Sequence, residues 1–399
     1  MLSLEEALQK LLSSVRPIDG AEQIPLPDAI GRIVAADIHA PNPLPLFDNS
    51  AMDGWAVRSA DVSGASKDSP VTLESIANVP AGALFDGEIA VGQCARIFTG
   101  SPMPRGADAV VMQEDARAEL PRVHVFDAVK PWENVRFRGE DMKEGALLTA
   151  AGSRIYPQIA ALLSACGVGQ VAVKRRPRIA VLATGNELKQ PGETLHPGEI
   201  FESNRLLISS LAKKIGVEAI EREIVRDDLA STIRAIREVA ANADAVITCG
   251  GVSVGEYDFV KAAVSELGVA IDFWQVAIKP GKPFAHATVS GKPLFGLPGN
   301  PVSGLVTFWL LVRPALLRMA GASDLAPAVS YGVLAEEIAN RGDRRHFVRV
   351  SVDFEGNVRV SGPQASHRLG SLAAANALLD VPPETTWEIG RQVKTILLP

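Results

Sequence analysis

Residues 244–258 read Asp-Ala-Val-Ile-Thr-Cys-Gly-Gly-Val-Ser-Val-Gly-Glu-Tyr-Asp, residues 278–284 Ile-Lys-Pro-Gly-Lys-Pro-Phe, and residues 296–304 Gly-Leu-Pro-Gly-Asn-Pro-Val-Ser-Gly. Each glycine-bearing turn follows, or lies between, short apolar runs of strand length, and the first and third lead into helical patterns. In an α/β layer this arrangement gathers backbone N–H groups, helix N-termini and two lysines at one edge of a sheet. Such an edge suits phosphates and other oxyanions.

Outward from these turns, residues 178–320 alternate between strand and helix. Strands are expected at 179–183, 218–225, 245–248, 272–278, 284–288 and 294–297, with helices near 204–215, 228–240, 258–267 and 302–319. This is the pattern of a doubly wound α/β domain. Upstream, residues 54–140 break into short β-like runs at 55–57, 71–76, 94–98, 109–113 and 123–126, split by Gly, Pro and Asp. They read as a small β-rich unit inserted in the chain. A helix closed by Pro17 is expected at 3–15, a proline-stiffened linker at 40–47 and a helix at 157–166. From about 327 the pattern is again β-rich, with runs at 329–334, 347–354, 358–361, 377–381 and 393–397. The expected fold class is α/β plus all-β, divided as 1–46 with 143–175, then 47–142, 176–322 and 323–399.

The chain has 399 residues, beyond the size at which a single core stops growing, so several domains are expected. A net charge of −6 argues against non-specific nucleic-acid binding, which needs a basic face. No uninterrupted apolar run reaches the length of a membrane span, and the acidic N-terminus lacks a signal-peptide profile. Three cysteines, Cys94, Cys166 and Cys249, are odd in number and far apart, which fits a reducing compartment and a cytoplasmic protein.

The turns differ in chemistry. Gly250-Gly251 and Gly255 let the backbone approach a ligand closely, with Ser253 and Glu256 between and beside them. Asp258 falls near a helix start, where a carboxylate either caps the helix or holds Mg²⁺ against a bound phosphate. Lys279-Pro280-Gly281-Lys282 presents two cations on a stiff turn, a preorganised setting for phosphate or molybdate. Pro298-Gly299-Asn300-Pro301 places Asn300 as N-cap and Pro301 at the first helical position, ahead of Ser303. Taken singly, each is ordinary turn or capping chemistry. Further acids follow the first two α/β strands, Glu187 in Thr184-Gly-Asn-Glu and Asp227 in Arg226-Asp-Asp. Asp53 and Asp141 sit beside glycine in loops flanking the β-rich insert. Together they outline a cleft whose negative charge calls for a divalent cation.

Six ordered motifs carry a family resemblance: Phe47-Asp-Asn-Ser-Ala-Met-Asp-Gly54, Arg138-Gly-Glu-Asp141, Thr184-Gly-Asn-Glu-Leu188, Gly250-Gly-Val-Ser-Val-Gly-Glu256, Ile278-Lys-Pro-Gly-Lys-Pro283 and Gly296-Leu-Pro-Gly-Asn-Pro-Val-Ser303. Over nearly its whole length the chain resembles the molybdopterin molybdenumtransferases, bacterial MoeA and the E domains of gephyrin and of plant molybdenum-cofactor proteins. The resemblance implies an elongated homodimer of four-domain subunits. Each has a MogA-like α/β domain and a barrel-like C-terminal domain, and the site is shared between subunits, half of it from the partner's C-terminal domain. It implies insertion of molybdate into adenylylated molybdopterin with Mg²⁺-assisted release of AMP, the metal on Asp227 and Asp258 polarising the pyrophosphate bridge for attack by water.

It assigns Glu187, the glycine loop and Asn300 to the pterin and nucleotide pocket, and Lys279 and Lys282 to molybdate and phosphate. Asp53, Thr99 and Asp141 become functional positions of the insert, and Arg345, Arg349 and Ser366 become oxyanion contacts of the C-terminal domain. The implied partners are a molybdopterin adenylyltransferase and cofactor-accepting enzymes, with neither nucleic acid nor membrane. Asn186 stands where the family commonly has Asp, Gln275 where lysine is frequent, and Gln364-Ala-Ser-His367 departs from Gln-Gly-Ser-His. Paralogues specialised for tungstate share these motifs, so molybdate and tungstate both stay open. The alternative readings are the preceding adenylyl transfer, whose enzyme lacks the flanking β domains, and a gephyrin-like scaffold.

Overall fold

The run Ala245–Cys249 is buried at every residue because it is a central parallel strand, covered on both faces. In the computed structural model, which describes residues 1–252 and 259–399 and only the backbone of Trp274, it lies third in a six-stranded sheet. The order is Glu218–Glu221, Arg178–Ala183, Ala245–Cys249, Lys292–Leu297, Pro283–Val289 and Ile271–Gln275. The first four strands run parallel, and Pro283–Val289 is antiparallel to both of its neighbours. The hairpin joining it to Lys292–Leu297 turns through Ser290 and Gly291, both at positive φ (50° and 74°), the pairing that a two-residue I′ turn requires.

Alternation along the strands builds a core on each face. Ile179, Val181, Ala245 and Ile247 face helix Asn204–Lys214 and the long helix after Pro301. Ala180, Leu182 and Val246 face helices Leu229–Asn242 and Phe259–Glu266. The long helix is α-helical over Pro301–Thr307, widens to a π-turn over Phe308–Val312, and resumes over Arg313–Met319. Pro314 lacks an amide hydrogen, and its ring would clash with the carbonyl one turn back, so a widened turn just ahead accommodates it. By length and composition this helix passes for a membrane span, yet 89% of its most apolar stretch is buried in the protein, which makes it a core helix.

Helix Leu4–Ser14 starts with a capping box: the Glu6 amide donates to Ser3 Oγ (3.1 Å) and the Ser3 amide to Glu6 Oε2 (2.8 Å). Its face Ala7 and Leu11, continued by Val15, enters the same core as the long helix, not the one formed by residues 26–44 and 148–173. The insert is a six-stranded sheet in the order Ala109–Met112, Gly54–Val57, Gln93–Ile97, Val71–Val79, Arg122–Val125, Ala116–Glu119. The last strand, Ala-Arg-Ala-Glu, is an edge strand with too little apolar content to announce itself. In the C-terminal region, Arg345–Val352, Asn357–Val360, Val329–Leu334, Gln392–Leu397 and Ala377–Val381 close into a five-stranded barrel, since the first pairs with the last.

The single strand expected at 272–278 is two. Ile271–Gln275 ends the α/β sheet, and Ile278–Lys279 pairs in parallel with Arg345 and His346 of the barrel. The lysine turn is therefore stitched to both units.

Candidate active site at the carboxyl ends of the parallel strands

Strands Arg178–Ala183, Ala245–Cys249 and Lys292–Leu297 end at one edge of the sheet, and Thr184, Gly250 and Pro298 follow them. Their turns enclose a cavity of about 780 Å³ lined by Thr184, Glu187, Asp227, Gly250, Gly251 and the turn Pro298–Pro301, among others. Gly250 and Gly251 sit at φ 94° and 68°. A Cβ on Gly251 would lie 2.7 Å from Val260 Cγ2 and 3.1 Å from Thr184 Oγ1, so only glycine fits unstrained. Gly250 spends its N–H on Leu297 O (3.0 Å), so it contributes close approach and not a donor.

Two buried polar atoms of cavity-lining residues, Thr184 Oγ1 and Asn204 Oδ1, have no hydrogen-bond partner among the described residues. Buried polar atoms are rarely left so, which fits a polar ligand. Asn300 occupies the N-cap position, yet its side chain makes no capping bond; its Nδ2 donates to Ser366 Oγ (3.1 Å) instead. Asn204 Nδ2 donates to Gly299 O (2.7 Å), fixing that turn to helix Asn204–Lys214. His367 and Leu369 of this same chain border the cavity, so its C-terminal side is already supplied in part without a partner. Ser303 is buried in the first helical turn and does not line the cavity.

The acids divide by task. Asp228 caps helix Leu229–Asn242 by accepting from the Ser231 amide (2.7 Å), which holds its carboxyl below the usual range. Asp227 lines the cavity, and its Oδ2 accepts from the Asn186 amide (3.1 Å) while its own amide donates to Asn186 Oδ1 (3.1 Å). Glu187 lines the same mouth and is exposed. Glu202 also borders the cavity but is fully engaged, taking the Arg205 amide (2.9 Å) and Arg205 Nε (3.1 Å). Burial, with Glu202 adding to it, pushes the Cys249 thiol up, so this lining cysteine is no thiolate nucleophile. Ser253, Gly255, Glu256 and Asp258 lie outside the described residues.

The cations assigned to the oxyanion do not line this cavity. Lys279 and Lys282 are exposed on the turn beside it, next to the lining Pro283. Arg345 is bound by Asp380 and Glu5, so its charge is already balanced by two carboxylates and it is not an open oxyanion contact in this chain. Arg349 is fully buried, donating from Nε to Ser371 Oγ (3.1 Å) and from Nη2 to Pro363 O (2.8 Å). Its Nη1 and His346 Nε2 are buried without partners among the described residues. Burial first, then the charges of Lys279, Arg349 and Arg344, push His346 down to about 4.

Unfolded histidine titrates near 6.5, so the unfolded state binds the proton first; stability is full above that pH and is lost as pH falls towards 4. Buried His286 is lowered as well, by desolvation, and acts in the same direction. Urea unfolding at pH 7.5 and pH 5 should show a loss of roughly 2 kcal/mol at the lower pH, reduced in His346→Gln.

In the insert, Asp53 Oδ1 accepts from the Thr99 amide (2.8 Å) and hydroxyl (2.9 Å), which lowers its carboxyl, with Arg96 adding charge. Asp141 is exposed, its amide donating to Leu44 O (3.0 Å). None of the three lines the cavity within one chain. Ile200, Phe201 and Asn204 are lining residues that the sequence reading did not single out. The only signal was an apolar pair, Ile200-Phe201, directly before a polar helix start.

The chain matches the models for the MoeA N-terminal region (domains I and II) over residues 2–167, the probable molybdopterin binding domain over 180–318, and the MoeA C-terminal region (domain IV) over 331–398. It is 37% identical over 411 aligned residues to a molybdopterin molybdenumtransferase of Nostoc, covering 100% of this chain and 94% of that protein. It is 35% identical to molybdopterin molybdenumtransferase 2 of Mycobacterium tuberculosis, covering 95% of this chain and 94% of that one. The crystal structure of the molybdopterin biosynthesis MoeA protein from Pyrococcus horikoshii superposes with a TM-score of 0.88 at 31% identity, covering 100% of both chains. With its three regions matched in order and its fold shared throughout, the chain belongs to the molybdopterin molybdenumtransferase family.

Proposed function

We propose that the cavity at the strand ends holds the adenylylated end of a pterin substrate while molybdate is inserted at its dithiolene, with release of AMP. As a member of its family the chain is a transferase of molybdenum cofactor biosynthesis. The observation that carries the finer reading is the cavity itself: glycine turns, polar atoms unpartnered among the described residues and the carboxylates of Asp227 and Glu187 share one space of nucleotide size.

Asp227 and Glu187 are hard oxygen donors at the mouth, the set that Mg²⁺ takes together with phosphate oxygens. Among the described residues no three His, Cys, Asp or Glu side chains converge as a metal cage, so Mg²⁺ held by Asp227 and Glu187 would also need oxygens from the substrate's phosphates. Mg²⁺ bound there supplies charge neutralisation at the pyrophosphate bridge. The Asn186 clasp holds Asp227 in place, and the turns around Gly251 and Gly299 let the phosphates approach the backbone. Lys279, Arg344 and Arg349 gather positive charge around His346 at the joint between the sheet and the barrel, with Lys282 on the same turn, which suits the incoming oxyanion. A homodimer bringing Asp53, Thr99 and Asp141 to this mouth, and a cytoplasmic location, complete the proposal.

The test is an assay with adenylylated molybdopterin and molybdate or tungstate. AMP release with cofactor formation is the expected result, and the comparison of oxyanions reads selectivity. ATP consumption in a parallel reaction supplied with molybdopterin and ATP would move the chain to the preceding adenylyl transfer, and no turnover in either reaction would favour a scaffold.

A further inference from the structure

Ile200 and Phe201 are 54% and 46% exposed, and both line the cavity. Large apolar side chains left in water on a loose loop need no explanation, but this segment is held from below. Ile200–Phe201 pairs in parallel with Leu188–Lys189, the Ile200 amide donating to Glu187 O (2.8 Å) and the Glu202 amide to Lys189 O (2.9 Å). Immediately after it, Glu202 and Arg205 form a buried ion pair, their side chains 4% and 6% exposed, and Arg205 Nη2 reaches Gln190 Oε1 (2.9 Å). The carbonyl of Arg222 accepts from Arg205 Nη1. Desolvating such a pair is costly, and here it fixes a short ribbon that carries two wet apolar residues. Leu188 and Leu369 add apolar lining to the same cavity.

We infer that Phe201 is a specificity-determining residue of this site, its ring forming a platform for the planar heteroaromatic ring of a phosphate ester whose phosphates lie at the glycine turns. This rests on the nucleotide reading of the cavity and adds which residue selects a ring-bearing ester over a bare phosphate. A purine and a pterin share the flat, polarisable face that such a platform holds, and base-on-aromatic contacts change affinity by about 10-fold to 100-fold.

The experiment is calorimetric titration of the full chain with AMP, neopterin monophosphate and ribose 5-phosphate, for the wild type, Phe201→Ala and Phe201→Trp. The wild type should bind at least one ring-bearing ester more tightly than ribose 5-phosphate. Phe201→Ala should weaken that ester about tenfold and leave ribose 5-phosphate unchanged, and Phe201→Trp should restore it. The ring with the larger loss is the one seated on Phe201. Equal losses for all ligands, no loss for either ring, or a change of oligomeric mass in Phe201→Ala would overturn the inference. Absence of wild-type binding to every one of these esters would instead refute the nucleotide reading beneath it.

Discussion

Asp227→Asn should lower single-turnover AMP release by about 100-fold to 1,000-fold while leaving the urea midpoint within error of the wild type. The substitution keeps the shape and an acceptor oxygen for the Asn186 amide, so the clasp that orders the two strand-end loops survives. What disappears is one negative charge at the cavity mouth, where the proposed reading gathers the metal and the substrate's phosphates. Asp228 next to it is the built-in comparison. Its carboxylate is spent on the helix cap, a place asparagine fills nearly as well, so Asp228→Asn should cost little in stability and little in rate. A loss under threefold for Asp227→Asn would mean that this carboxylate does not serve the reaction.

Arg205→Met should destabilise the protein by about 3–5 kcal/mol, the largest stability effect expected of a single change here. The guanidinium is 6% exposed and holds Glu202, itself 4% exposed, so its removal strands a buried carboxylate. Met restores the apolar stem but none of the donors to Glu202, Gln190 or the Arg222 carbonyl. Adding Glu202→Gln removes the stranded charge and should recover more than half of the loss in urea unfolding. Failure of the double variant to recover would show that the pair's worth lies in packing and not in charge.

Much of the frame was legible because its signals are local. Ala245–Cys249 is apolar but for Thr248, and Ile179-Ala-Val-Leu alternates between two helix-covered faces, so strand and sheet type could be read from composition alone. The ligand-bearing turns were legible for a related reason: Gly251 stands where a side chain would collide with Val260 and Thr184. What escaped depends on distant residues. Nothing near Asn300 indicates that its amide leaves the cap for Ser366, sixty-six positions on. Nothing near Gln275 shows that the chain stops pairing in one sheet and, three residues later, joins the barrel. Arg345 and Arg349 have the right charge for an oxyanion, but Asp380, Glu5 and burial decide what that charge is used for. Phe201 looked like an ordinary apolar residue, since exposure is a property of the fold.

The central claim is that the nucleotide part of the substrate occupies the cavity between Thr184, Phe201 and the Pro298–Pro301 turn. Photolabelling of the purified protein with 8-azidoadenosine monophosphate, followed by peptide mapping, tests it most directly. The account predicts label confined to peptides containing residues 184–204 and 298–301, lost when unmodified AMP is added in excess. Label absent from those peptides, or insensitive to AMP, would contradict it.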